Sequence, residues 1–275
     1  VDLQQDKNAV EQFQLEDWVS KRLKHDNLMQ CYPHNTEKKY LFQCYEYLQG
    51  ETLAQWLHRQ EKPLNLDEIL PILQQTALAL NAMHRLEMLH QDIRPKNIMV
   101  INAENAMKIK LIDYGSTAVR GLVEINPKNA NRALGTLAFM APEYSIDHSP
   151  PVHSDQFSLA VMAYYLFTKQ LPYGTDLARC NSLKQMKKVQ YHSIRKYRPD
   201  LPIWLDKILG QALSIEPIHR FEALSELIHN LMHPSKELLN SKPPAIIERD
   251  PLRFWQMSCA VLGLLFLLSI AWPFI

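Results

Sequence analysis

Asp92, Arg94, Asn97 and Asp113 are the residues of this chain whose types and spacing could do chemistry. The first three lie in His90-Gln91-Asp92-Ile93-Arg94-Pro95-Lys96-Asn97, and the fourth opens Asp113-Tyr114-Gly115, sixteen residues after Asn97. Together they read as a phosphoryl-transfer centre. A carboxylate at Asp92 can orient an attacking hydroxyl and take its proton, and Arg94 can meet the transferring phosphate. The amide of Asn97 and the carboxylate of Asp113 can hold Mg2+ against nucleotide phosphates. A short H-x-D-x-x-x-x-N match arises by chance at an appreciable rate. Its pairing with D-x-G at this distance, across an apolar hairpin, makes it specific.

The elements that must position these groups are visible in the intervening residues. Ile98-Met99-Val100-Ile101 and Met107-Lys108-Ile109-Lys110-Leu111-Ile112 are apolar or alternating runs on either side of the polar Asn102-Ala103-Glu104-Asn105. That pattern reads as strand, turn, strand. Such a hairpin returns Asn97 and Asp113 to the same end of two paired strands, within reach of one metal ion. A helix is expected over 9–24, a strand over Tyr40–Tyr45, and a long helix from Asp67 to Met83 with Ile69, Leu73, Leu80 and Met83 as its apolar stripe.

Three further segments occur in a telling order. They are Gly135-Thr136-Leu137-Ala138-Phe139-Met140-Ala141-Pro142-Glu143, Ser154-Asp155-Gln156-Phe157-Ser158, and Pro217-Ile218-His219-Arg220-Phe221. With the catalytic motifs, they make residues 10–232 resemble a eukaryotic-type Ser/Thr protein kinase domain. The resemblance implies an α+β, two-lobed fold with an incomplete small lobe (1–48) and a mostly helical large lobe (49–233). It implies ATP and Mg2+ as cofactors and protein Ser or Thr hydroxyls as acceptors. It also implies a Glu143–Arg220 ion pair, an Asp155 tether to the catalytic-loop backbone, and Thr136 on the substrate platform beside Asp92. Tyr45 would guard the adenine pocket, with backbone groups of Glu46 and Leu48 holding adenine. Glu16 stands where the helix glutamate partners a strand lysine.

Departures from the family pattern sharpen the reading. The first glycine is Gly50, so no glycine-rich loop precedes it, and Lys7 lies too close to Glu16 to be the strand lysine. The chain is therefore expected to be part of a longer protein that supplies both. Arg198–Asp206, Arg220–Glu226 and Asp250–Trp255 are similar to bacterial proteins in which a metal-dependent Ser/Thr phosphatase precedes the kinase. Gln91 replaces the arginine that receives an activation-loop phosphate in the family, and 118–135 contains no Ser, Thr or Tyr. Donor site and receptor are absent together, which implies activity without that phosphorylation. Arg94 replaces the usual lysine, and its place two residues after Asp92 favours Ser/Thr over Tyr acceptors. Tyr114 replaces phenylalanine.

Composition bounds the alternatives. The chain has 275 residues, 47% hydrophobic, and a net charge of +1, which argues against a nucleic-acid partner. Its four cysteines show no C-x-x-C spacing, and nothing sets an oligomeric state. Residues 254–275 carry no charge, with Trp255 and Trp272 near their ends and Lys236, Lys242, Arg249 and Arg253 before them. This reads as a single-pass C-terminal transmembrane helix after a proline-bearing linker (234–253), holding a cytoplasmic kinase domain at the inner membrane. A catalytically silent scaffold of the same fold remains an alternative, as does an aminoglycoside-type phosphotransferase. The Gly-Thr…Ala-Pro-Glu segment weighs against the last.

Overall fold

The computed structural model describes residues 6–33, 41–103, 106–121, 137–145, 152–180, 182–240 and 251–271. Each leading element begins where the sequence supplies a cap. Helix α1 (Lys7–Ser20) starts at Asp6, whose side chain accepts from the N–H groups of Asn8 and Ala9. Strands β1 (Cys31–Tyr32) and β2 (Cys44–Tyr45) pair antiparallel, Cys31 opposite Tyr45 and Tyr32 opposite Cys44. Residues 34–40, including Tyr40 of the expected Tyr40–Tyr45 strand, lie outside the described residues. Capping boxes open α2 (Leu53–Arg59) at Thr52 and α3 (Leu66–His84) at Asn65. Along α3, Ile69, Ile72, Leu73, Thr76, Ala77, Leu80 and Met83 form the buried stripe.

A three-stranded antiparallel sheet, in the order β3 (Glu51–Thr52), β5 (Ile98–Ala103), β6 (Ala106–Leu111), lies against α3. The β5–β6 register runs from Ile98↔Leu111 to Ala103↔Ala106. The strands thus extend into the stretch read as a four-residue turn, and Glu104 and Asn105 lie outside the described residues. Gly50 is needed beside this sheet: a Cβ there would meet the Val100 carbonyl oxygen at 2.2 Å. Strand β4 (Met88–Leu89) pairs with β7 (Ala118–Val119), closing a second small ladder around the hairpin.

Helix α4 (His153–Thr168) is buried on all sides, from Ser154 and Asp155 to Leu166 and Phe167, and ends at Lys169 in the left-handed region with φ 54°. It packs on α3 and on α6 (Ile203–Ala212), while α7 (Leu224–Met232) packs on α3 and α6. A short helix, α5 (Leu183–Met186), lies between α4 and α6 in the sequence. This is a mixed α/β fold of small sheets and a helical portion.

Residues 236–275 form a separate compact unit containing α8 (Lys236–Leu239) and α9 (Pro251–Ala271). Among the described residues, no helix is long and apolar enough to cross a membrane. Helix α9 begins at Pro251, ahead of the charge-free stretch, and takes Arg253 into its first turn. The expected transmembrane helix, the membrane as a partner and the inner-membrane location all rested on a span in this stretch, and no described helix makes one. Residues 241–250, most of the expected linker, lie outside the described residues, as does Trp272.

Candidate active site

Two antiparallel ladders bracket the catalytic segments. His90 follows β4 directly and Ala118 opens β7, while the hairpin between them starts at Ile98 and ends at Leu111. The hairpin register puts Asn97 opposite Ile112, and the Ile112 N–H donates to the Asn97 carbonyl at 2.9 Å. Asn97 and Asp113 are thereby held at one end of the hairpin.

From α4, Asp155 reaches the loop: its carboxylate accepts the N–H groups of His90 and Gln91, each at 3.0 Å, and bonds His84 Nε2 at 2.8 Å. Burial alone would raise the Asp155 pKa. The His84 hydrogen bond and charge, with His90 and the Gln91 N–H, outweigh it and hold the carboxyl below its usual value of 3.8. Two non-glycine residues of the site sit in the left-handed region, Gln91 at φ 65° and Asp113 at φ 68°. This backbone is held in place by its contacts rather than by residue preference.

Asp92 is almost fully buried. Its Oδ2 accepts from Asn97 Nδ2 at 2.8 Å, and its backbone carbonyl accepts from the same nitrogen at 2.9 Å. Oδ1 receives no hydrogen bond among the described residues and stands 3.6 Å from Arg94 Nε. Because Nδ2 of Asn97 is committed to Asp92, any metal bond from Asn97 must come from Oδ1. His90, fully buried, accepts the Asp92 N–H at Nδ1 (3.3 Å), and burial holds its imidazole below the usual 6.5 despite nearby Asp155, Asp92 and Asp113.

Glu16 projects from α1 toward Asp113. It makes no ion pair among the described residues, and Tyr45 Oη donates to its Oε1 at 3.2 Å. Burial first, then the Asp113 charge, raise its pKa above 4.5, with the Tyr45 hydrogen bond pulling the other way. One turn earlier, Gln12 Nε2 donates to the Gly115 carbonyl at 2.9 Å, tying α1 to the Asp113-Tyr114-Gly115 segment. The Tyr114 ring is buried, and its hydroxyl donates to the Met29 carbonyl (2.9 Å), with the Leu111 carbonyl 3.3 Å away.

After β2, the Glu46 N–H is already bonded to the Gln30 carbonyl at 2.9 Å, so a ligand could engage only its carbonyl. Leu48 follows, half-buried, in the irregular segment before Gly50. Arg220 donates to Glu143 through Nη1 (2.7 Å) and Nη2 (2.8 Å), and also bonds the carbonyls of Ser214, Ile215 and His153. Ser154 adds a 2.6 Å hydrogen bond to Glu143. Thr136 lies outside the described residues.

Three contributors escaped the sequence reading: Lys110, whose ammonium pairs with the Glu46 carboxylate; His84, against Asp155; and the Tyr45 hydroxyl, against Glu16. Strand alternation puts Lys108 and Lys110 on one polar face, and only Lys110 is buried. Nothing in the local pattern separates the two.

Residues 1–234 match the family model described as the protein kinase domain. The serine/threonine-protein kinase PrkC of Bacillus subtilis is 25% identical over 226 residues, covering 82% of this chain and 34% of that protein. The serine/threonine-protein kinase pkn3 of Myxococcus xanthus is 30% identical over 221 residues, covering 78% and 40% respectively. The chain thus spans well under half the length of these relatives. Among solved structures, the PknI kinase domain of Mycobacterium tuberculosis superposes with a TM-score of 0.62 at 25% identity, over 83% of this chain and 80% of that one. The twitchin kinase region of C. elegans, at 21% identity and a TM-score of 0.66, shares the fold.

Proposed function

Because this chain belongs to the protein kinase family, we propose that it is the catalytic portion of a Ser/Thr protein kinase that transfers the γ-phosphate of Mg-ATP to a protein hydroxyl. One observation carries the reading: Asp92 is oriented by Asn97, which the hairpin holds at the same end as Asp113. The donor set suits Mg2+, which takes oxygen ligands and needs only one or two protein groups beside substrate phosphates. Asn97 Oδ1 and the Asp113 carboxylate would hold it. Bound there, the ion would neutralise charge on the phosphate oxygens.

The residues of the chain do the rest. Asp92 Oδ1, which accepts no hydrogen bond among the described residues, is the atom that receives the acceptor hydroxyl and takes its proton as transfer proceeds. The acceptor oxygen forms a bond to the γ-phosphorus, the bond from phosphorus to the bridging oxygen breaks, and ADP leaves. Arg94 stabilises the charge spread over the transferring group, and the guanidinium suits a bidentate grip. Glu16 and Asp113 call for a cation between them. A lysine is the group the resemblance would put there, and the described residues show no ion pair to Glu16 that would supply it. The nucleotide would reach the backbone of Glu46 and Leu48, and Thr136 would border the acceptor peptide.

Transfer of labelled phosphate from Mg-ATP to a generic Ser/Thr protein substrate tests the proposal, using the full-length protein that carries this chain and its D92N variant. Transfer that D92N lowers by about 10² or more supports it. Nucleotide binding without transfer in the unmutated protein would instead favour a catalytically silent scaffold, and absence of both would overturn the reading.

A further inference from the structure

We infer that Lys110 and Glu46 form a buried charge clamp that keeps the nucleotide-base end of the site in register with the metal end. Both are positioning residues, and the inference rests on the kinase reading above. Lys110 lies on β6, three residues before Asp113, and Glu46 directly follows β2. Their side chains are only 10% and 19% exposed, and the Lys110 ammonium pairs with Glu46 Oε1.

The pair does more than join two residues. Lys110 Nζ also donates to the Leu28 carbonyl at 3.1 Å, and the same Glu46 Oε1 accepts the Gln30 N–H at 2.7 Å. Leu28 in turn bridges Leu111 in parallel register. Three separate stretches therefore meet on one ion pair: the segment after α1, the segment expected to border adenine, and the strand that leads to Asp113. Taking two charges out of water is costly, and apolar residues of similar volume would stabilise such a site about as well. What the charged pair adds is direction, because the ammonium and carboxylate accept few geometries. Loss of either charge frees the segment after β2 to shift relative to Asp113, and a nucleotide spanning both ends is then held less well.

The test compares the full-length protein with Lys110→Met, Glu46→Gln and the double variant. Mg-ATP affinity is read by calorimetry, KM and kcat by steady-state kinetics, and melting temperature in parallel. Lys110→Met keeps the aliphatic stem, and Glu46→Gln keeps an acceptor for Gln30. Each single variant is expected to raise KM for ATP about tenfold, more than it lowers kcat, and the double variant to cost less than the product of the singles. Folded single variants with unchanged KM and affinity, even with lowered melting temperatures, would overturn the inference and leave a structural pair. Independent, multiplying effects would also overturn it. Should Lys110→Met fail to fold, Glu46→Gln carries the test alone. Failure of the unmutated protein to bind Mg-ATP would count against the kinase reading, a different outcome from any of these.

Discussion

Glu16 Oε2 and Asp113 Oδ1 converge on one point, each 3.3 Å from where a Cβ on Gly115 would stand. The bare Cα of Gly115 leaves room for the two carboxylates beside one another, and no ion pair to Glu16 separates them among the described residues. This like-charge approach is the electrostatic cost of a site built to receive a cation.

Glu16→Gln should therefore raise the melting temperature at neutral pH while lowering activity. The pKa of Glu16 is raised on folding, so its ionisation destabilises the native state. The penalty is absent below the ordinary value of 4.5, where the carboxyl is protonated in both states, and grows as pH rises through the folded value. Melting curves of the two proteins should converge as pH falls toward 4.5. A gap that widens on acidification would refute the assignment.

Asp113→Ala should abolish Mg2+-dependent nucleotide binding. Calorimetric titration with ATP, with and without Mg2+, separates this from general loss of binding: the variant should show the same weak affinity in both. Retained Mg2+ dependence would remove Asp113 from the metal site.

Asp92→Asn should lower kcat by about 10² to 10⁴ with little change in nucleotide affinity, since it removes the proton acceptor and no expected phosphate contact. Flattening of the acidic limb of the pH–rate profile would accompany it. A loss confined to affinity would show that Asp92 is not the base.

Glu143→Ala should destabilise the chain by about 3–5 kcal/mol, because it leaves the buried Arg220 guanidinium uncompensated. Arg220→Lys should also be costly: a single ammonium cannot reproduce the two-pronged contact with Glu143 and the bonds to the carbonyls of Ser214, Ile215 and His153. Urea unfolding measures both, and a loss below about 1 kcal/mol for Glu143→Ala would show that the pair is solvated.

Tyr114→Phe should cost about 0.5–1.5 kcal/mol and loosen the segment after α1, because the Met29 carbonyl loses its bond to the Tyr114 hydroxyl. Hydrogen exchange at Met29 and Leu111 should rise together in the variant. Unchanged exchange would mean that the hydroxyl is incidental to this packing.

Family membership was legible in the sequence because catalysis constrains it locally. The Asp92 and Asn97 groups must occupy one loop, and the run from Ile98 to Leu111 must be a hairpin if Asp113 is to return to them. Period-two apolar residues and a polar turn encode that hairpin within a few positions of each group. Helix α3 was legible because its apolar residues recur at helical spacing, although its start at Leu66, behind the Asn65 capping box, came only with the structure.

Contacts across long sequence separations were not encoded this way. Lys108 and Lys110 have the same local pattern, and only the tertiary structure, by bringing Leu28 and Glu46 over one of them, makes Lys110 a buried partner. Tyr45 against Glu16 and His84 against Asp155 are likewise decided by how elements 29 and 71 residues apart come together. The C-terminal helix is the converse case. Apolar composition by itself suggested a membrane span, but composition does not fix where a helix starts, and among the described residues no helix is long and apolar enough to cross a membrane. The sequence by itself determined which groups could do chemistry; the tertiary structure decided which charges are desolvated and against whom, because burial depends on what the rest of the chain lays over a residue.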